Sequence, residues 1–192
     1  VTPPSAQPAP MIGVVAAATG GLGELRSGLI EPALNRGFRV GVTLTPTAAR
    51  WLAAAGELDA IAAATGLPVR SQSRLPTEAR PHPPVDCYVF APASANSVAK
   101  LALGIGDNQA LTQLGEALGD PTVPVVVFPR INAAHARHPA WPGHLAALRS
   151  AGAILVEGPA VFPLAEPAEK PVRPLPWPAI LTAAAEALSS PL

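Results

Sequence analysis

Small hydroxyl residues and glycines gather at three places where an apolar run ends and a helical pattern begins. "ATGGLGE" carries Thr19, Gly20 and Gly21, "LTPTAAR" carries Thr45 and Thr47, and "APASANS" carries Ser94, Ala95, Asn96 and Ser97. Backbone N–H groups, hydroxyls and glycines that let the main chain approach closely are what a phosphate dianion requires. Any one of these junctions also reads as an ordinary N-cap or turn. Three on one edge of one sheet point to a phosphorylated ligand.

Other chemistries fit less well. Gly21 and Gly23 open a dinucleotide-type G-x-G-x-x-G, but Arg26 stands where the third glycine belongs. "TGGLG" has the look of a short-chain dehydrogenase loop, yet the only tyrosine, Tyr88, is not followed four residues later by lysine. No P-loop lysine follows the glycines, and there is no G-x-S-x-G elbow. His135, His138 and His144 lie close in sequence without a neighbouring cysteine or carboxylate to complete a metal site, so they read as surface or helix-start residues.

The elements that would position these junctions are legible as alternation. Met11 to Ala18, Arg39 to Thr45, Asp86 to Ala91, Val123 to Phe128 and Ala153 to Gly158 are short, nearly continuous apolar runs, as in strands buried on both faces. Between them helical patterns cover Glu24 to Arg36, Pro46 to Ala55, Ser94 to Leu118 and His138 to Ala151, with a last helix from Pro178 to Leu188. Gly37, Gly56 and Gly152 follow three of these as left-handed C-caps. The alternation predicts an α/β fold: a doubly wound, Rossmann- or flavodoxin-like parallel sheet with helices on both faces. In such folds ligands bind beyond the carboxyl ends of the strands.

Composition narrows the partners. Formal net charge is zero and 14% of residues are charged, so no basic field favours nucleic acid or anionic lipid. A single cysteine, Cys87, excludes an internal disulfide framework and suits a cytoplasmic setting. No apolar stretch reaches the ~18 residues of a membrane span, and the run after Met11 lacks a secretory basic leader. The 25 prolines concentrate in a tail over 1–10, in "RLPTEARPHPPV", and in a loop or flap over 159–177. One domain over 11–192 is therefore expected, ending in the C-terminal helix.

"PASANS" followed by "AKLALGIGDN" resembles the PASANT motif of the homo-oligomeric flavin-containing cysteine decarboxylases, differing from it at Ser97 and Gly106. Further on, "PRINAAHARHPAW" is similar to that family's P-x-M-N-x-x-M-W motif; Pro129 and Asn132 match, whereas its methionines and tryptophan are replaced. "ATGGLGEL", "LTPTAARWL" and "RPLPWPAILTAAAEAL" also look like family segments, so the resemblance covers nearly everything after the tail. It implies FMN as cofactor, with Ser94, Ala95 and Asn96 against flavin or substrate and Thr19, Gly20, Gly21, Thr45 and Thr47 around the ribityl phosphate. It also implies oxidative decarboxylation of a cysteine-derived thiol, on a peptide C-terminus or a small molecule, with Asn132 on the substrate carboxylate. Asp107 and Asn108 are expected to brace the following helix.

The departures concern the reaction. Family members resemble one another in a histidine eight residues ahead of the aspartate matched by Asp86; here that position is Glu78, and His82 comes four residues later. Both are candidates for the base. The cysteine-bearing flap of the phosphopantothenoylcysteine decarboxylase branch has no counterpart in "AVFPLAEPAEKPVRP". Alternatives are a flavin-binding protein of the same fold without decarboxylase activity, a flavin prenyltransferase-like enzyme, and an interaction module with an empty site. The resemblance further implies a homotrimer or a multiple of trimers, in which Trp51 and Trp141 would serve core, interface or flavin stacking.

Overall fold

Five parallel strands form one sheet in the order β2-β1-β3-β4-β5. They are β1 (Met11–Ala16), β2 (Arg39–Leu44), β3 (Cys87–Ala93), β4 (Val125–Pro129) and β5 (Ile154–Leu155). The structure, a computed structural model, describes residues 8–169 and 173–189; most of the proline-rich tail lies outside them. All six residues of β1 and all five of β4 are buried, as strands covered on both faces require. Gly13 pairs with Gly41 across β1 and β2, and Val14 with Val89 across β1 and β3.

Helices cover both faces. After β1, a 3-10 turn (Leu22–Glu24), a π-helical stretch (Arg26–Ile30) and α1 (Glu31–Asn35) make one helical run. With α2 (Pro46–Ala54), α3 (Glu57–Thr65) and α8 (Trp177–Ser189) it packs on the face formed by Ile12, Val14, Val42 and Val89. In α8, Trp177, Ile180, Leu181 and Ala184 recur at helical spacing and are buried, which pins this helix to the sheet. The opposite face, with Val15, Phe90 and Val127, takes α4 (Ala95–Ala102), α5 (Gln109–Leu118) and α7 (Trp141–Ser150), while α6 (Ala133–Ala136) is a single turn.

Two expectations need correction, and one helix has no counterpart among the expected elements. The helix expected over Ser94 to Leu118 is two helices, because Gly104 adopts φ +71° just past α4 and Asn108 starts α5 by accepting from Leu111 N. The segment after Gly56 forms α3, which apolar spacing alone does not reveal. The last strand is confined to Ile154–Leu155. Gly37, Gly56 and Gly152 do take positive φ at helix ends. Asn108 does cap the following helix, whereas Asp107 pairs with Lys100 on the preceding α4 and accepts from Asn108 Nδ2.

Candidate functional site

Main-chain hydrogen bonds lace the exits of four strands into one edge. Thr45 N donates to Ala16 O at 3.0 Å, Ala17 N to Pro92 O at 2.9 Å, and Arg130 N to Ala93 O at 2.8 Å. The loop after β1 thereby sits between the starts of α2 and α4, with the Arg130 to Asn132 turn beyond. This is the point where successive connections leave β1 and β3 in opposite directions, the ligand crevice of doubly wound sheets.

The hydroxyls and amides at this edge start helices. Thr45 Oγ1 accepts from Ala48 N at 3.4 Å, Ser94 Oγ accepts from Ser97 N at 3.3 Å, and Asn132 Oδ1 accepts from His135 N at 2.9 Å. Each cap satisfies one helix N–H and leaves others of the first turn facing outward. Ser94 also donates to Ser97 Oγ, so its hydroxyl is committed twice over. Asn96 is exposed at the start of α4 and its amide has no partner among the described residues, whereas Thr47 accepts from Arg50 Nη2 at the surface. Thr19 Oγ1 donates to the Arg130 carbonyl at 3.3 Å, tying the glycine loop to the end of β4.

Gly21 holds φ +88°, and a Cβ built there would fall 2.4 Å from Leu175 Cδ1, so the bend admits only glycine. Gly20 is exposed, and its missing Cβ would face Arg130 Nη2 at 3.5 Å. Exposed backbone at Gly20, outward N–H groups of α2 and α4, and the unpaired amide of Asn96 form a cradle that fits a phosphate and a polar ring edge. Thr19, Gly20, Gly21, Thr45, Ser94, Ala95, Asn96 and Asn132 share this edge; Thr47 lies at its outer margin.

His82 and Glu78 do not join them within the chain. The His82 ring lies against Gly41. That residue is four positions before Thr45 on β2, which places it about 13 Å along the strand from the edge at a strand's rise per residue. His82 Nε2 is 2.7 Å from Pro68 O. Glu78 is exposed and accepts from Leu75 N at 2.9 Å. The prolines around His82 lay this segment over the sheet face instead of carrying it to the strand ends. Under it lies a hollow of about 660 Å³ lined by Gly13, Gly41, Tyr88, His82 and Gln113. A second hollow of about 370 Å³, mostly apolar, adjoins Pro129, Ile131, Trp141 and Phe162.

Two further groups bear on chemistry. Cys87 is buried and its thiol is pushed up to about 12, by burial first and Asp86 second, so it remains protonated at neutral pH. Arg130 stands at a variable position of the second motif and Arg173 heads the segment "RPLPWP", so neither announces a role in the sequence, yet both guanidiniums lie over the Phe162 ring. Burial, then the neighbouring Arg173, pulls the Arg130 pKa down.

Comparison with known proteins agrees with this architecture. The chain matches the Flavoprotein family over residues 4–186 and belongs to it. Among solved structures it is similar to TvaF, an FMN-dependent cysteine decarboxylase from thioviridamide biosynthesis. They share 22% identity at a TM-score of 0.69, over 94% of this chain and 98% of that one. It is also similar to MrsD from a Bacillus species, with 19% identity and a TM-score of 0.66 over 95% of this chain and 98% of that one. A curated relative, a cysteine/cysteine sulfinic acid decarboxylase from an unknown prokaryotic organism, is 38% identical over 72 residues. That match takes in 38% of this chain and 19% of the relative's length. Among the described residues, no helix is long and apolar enough to cross a membrane.

Proposed function

We propose that this chain is an FMN-dependent decarboxylase of cysteine-derived thiols, with a peptide C-terminus or a small molecule as substrate. The observation that carries the reading is the laced edge, where the glycine loop and the starts of α2 and α4 present free N–H groups to one crevice. Thr19, Gly20, Gly21 and Thr45 hold the phosphate end of the cofactor, and Ser94, Ala95 and Asn96 meet its ring or the substrate. Bound FMN supplies an acceptor for the electron pair that the substrate's thiol-bearing carbon gives up. Membership of the Flavoprotein family and the likeness to FMN-dependent cysteine decarboxylases support this assignment.

The chain's own contribution is placement. Asn96, free of internal partners among the described residues, offers an amide that donates and accepts, which suits a polar ring edge. Asn132 keeps its NH2 group available while its Oδ1 starts α6, so it can donate to a substrate carboxylate until that group departs as carbon dioxide. We place the active unit in a closed homotrimer or a multiple of it, in the cytoplasm. Trp51, 53% exposed on α2, and Leu103, 65% exposed after α4, are apolar groups that such an interface would cover.

The test is a visible absorption spectrum of the purified protein after loading with FMN, followed by mixing with peptides ending in cysteine. Flavin bands, their bleaching by a cysteine-ended peptide and release of one carbon dioxide per bleached flavin are expected. Bound flavin that no cysteinyl peptide or small cysteinyl thiol bleaches would reduce the protein to a flavin binder. Absence of any flavin binding would defeat the reading.

A further inference from the structure

Arg130 leaves the end of β4 and Arg173 leads into α8, and the two guanidinium carbons each lie 4.9 Å from the centre of the Phe162 ring. Phe162 is held in turn by Phe128, edge to face with centroids 5.8 Å apart. The ring that carries both arginines therefore belongs to the core. The Nε atoms of both arginines are buried and have no hydrogen-bond partner among the described residues. Among the described residues Arg130 Nη1 reaches only the Ile131 carbonyl, at 3.2 Å.

Among the described residues neither arginine is ion-paired with a carboxylate, although acidic residues of the same region are engaged elsewhere. Glu157 pairs with Arg149 and Glu166 with Arg137. The ring attracts each cation, but the two cations repel each other and are partly withdrawn from water, and with no carboxylate paired to them among the described residues that cost stands unless a ligand supplies negative charge. Arg130 also faces the glycine loop, where Gly20 leaves its backbone open beside Nη2.

We infer that Arg130 and Arg173, stacked on Phe162 beside the Thr19–Gly21 loop, form a clamp for an oxyanion of the bound ligand, a phosphate monoester or a carboxylate. Planar guanidinium groups bind such groups through paired N–H donors, and the ring fixes their planes in advance. The carboxylate lost in decarboxylation is a poor occupant, because two cations would stabilise the charge that the reaction must disperse. The clamp therefore fits an anion that persists through the reaction. That anion is either the phosphate of the cofactor or a second acidic group on the substrate, which would narrow the substrates to thiols with an anionic tail. This identity of the ligand rests on the function proposed above; the clamp itself does not.

The experiment compares wild type, Arg130→Gln, Arg173→Gln and the double variant. FMN and riboflavin are titrated by flavin fluorescence, and inorganic phosphate is titrated into apo and FMN-loaded protein by thermal melting. In phosphate-free buffer the apo variants should melt no lower than wild type, since an unpaired repulsion is removed, which also shows that they fold. Phosphate should raise the melting temperature of wild-type apo protein and leave that of the double variant unmoved. A preference for FMN over riboflavin that falls roughly tenfold or more in the variants assigns the clamp to the cofactor's phosphate. A preserved preference, with phosphate binding to FMN-loaded wild type that the variants lose, assigns it to the substrate. An identical phosphate response and an unchanged FMN-to-riboflavin ratio in wild type and double variant would overturn the clamp. Failure of wild type to take up flavin would defeat the proposed function, and phosphate on the apo protein would still decide the clamp.

Discussion

Replacing Gly21 by alanine tests the bend on which the phosphate end of the cradle depends. A non-glycine residue at φ +88° costs about 1 kcal/mol or slightly more. The new Cβ would also lie 2.4 Å from Leu175 Cδ1 and 2.6 Å from Leu175 Cγ, and Leu175 is 4% exposed, so its side chain must move within a filled core. Such overpacking typically costs about 1–3 kcal/mol. Together the terms predict a loss of about 2–4 kcal/mol, or a melting temperature lower by about 4–16 °C for a chain of this size. Urea unfolding followed by far-UV circular dichroism measures it. The steric part is separable: Leu175→Ala alone should cost about 2–4 kcal/mol, and in the Gly21→Ala/Leu175→Ala double variant the collision is gone, so the two losses should sum to more than the double costs. Losses that add within about 0.5 kcal/mol, with Gly21→Ala itself below about 1 kcal/mol, would refute the reasoning, because the loop would then be free to leave Leu175.

Two other perturbations address the flanks of the site. His82→Gln should leave the rate of flavin bleaching by a cysteinyl thiol within about twofold of wild type, since His82 sits over Gly41 against Pro68 O rather than at the strand ends; a loss of about a hundredfold would instead put this histidine at a neighbouring subunit's flavin. Arg26 reaches Glu57 at 2.8 Å, joining the π-helical stretch to α3, and its hydrogen bond holds the Glu57 carboxyl below the usual range. A carboxyl depressed on folding contributes stability above its unfolded pKa of about 4.3 and loses that contribution as pH falls through the folded value. Melting temperature should therefore fall more steeply below about pH 4.5 in wild type than in Glu57→Gln, and parallel acid limbs would show that the pair adds nothing.

The fold is largely readable because buried parallel strands leave a strong local trace. Met11 to Ala16 and Val125 to Pro129 are apolar at every step and fully buried, so their type does not depend on distant context. Boundaries are less legible where one residue decides them. Gly104 reads as part of a continuing helix in the sequence, although in the structure it turns left-handed and separates α4 from α5. α3 leaves little trace because its helix-forming alanines supply little amphipathic contrast and only Ile61 is buried.

The candidate site is legible in one layer and silent in another, and the difference has a physical origin. Thr45, Ser94 and Asn132 announce themselves because starting a helix and presenting N–H groups to an anion call for the same small polar residues, so their signal stands whether or not a ligand binds. Arg130 and Arg173 carry no such signal: they are far apart in sequence and meet on the ring of Phe162, which Phe128 holds edge to face. Caps account for themselves through the helices they begin, whereas two guanidiniums on one ring attract the ring but repel each other, and among the described residues no carboxylate offsets that repulsion. That asymmetry makes the arginine pair, rather than the motif residues, the feature from which the ligand's charge can be read.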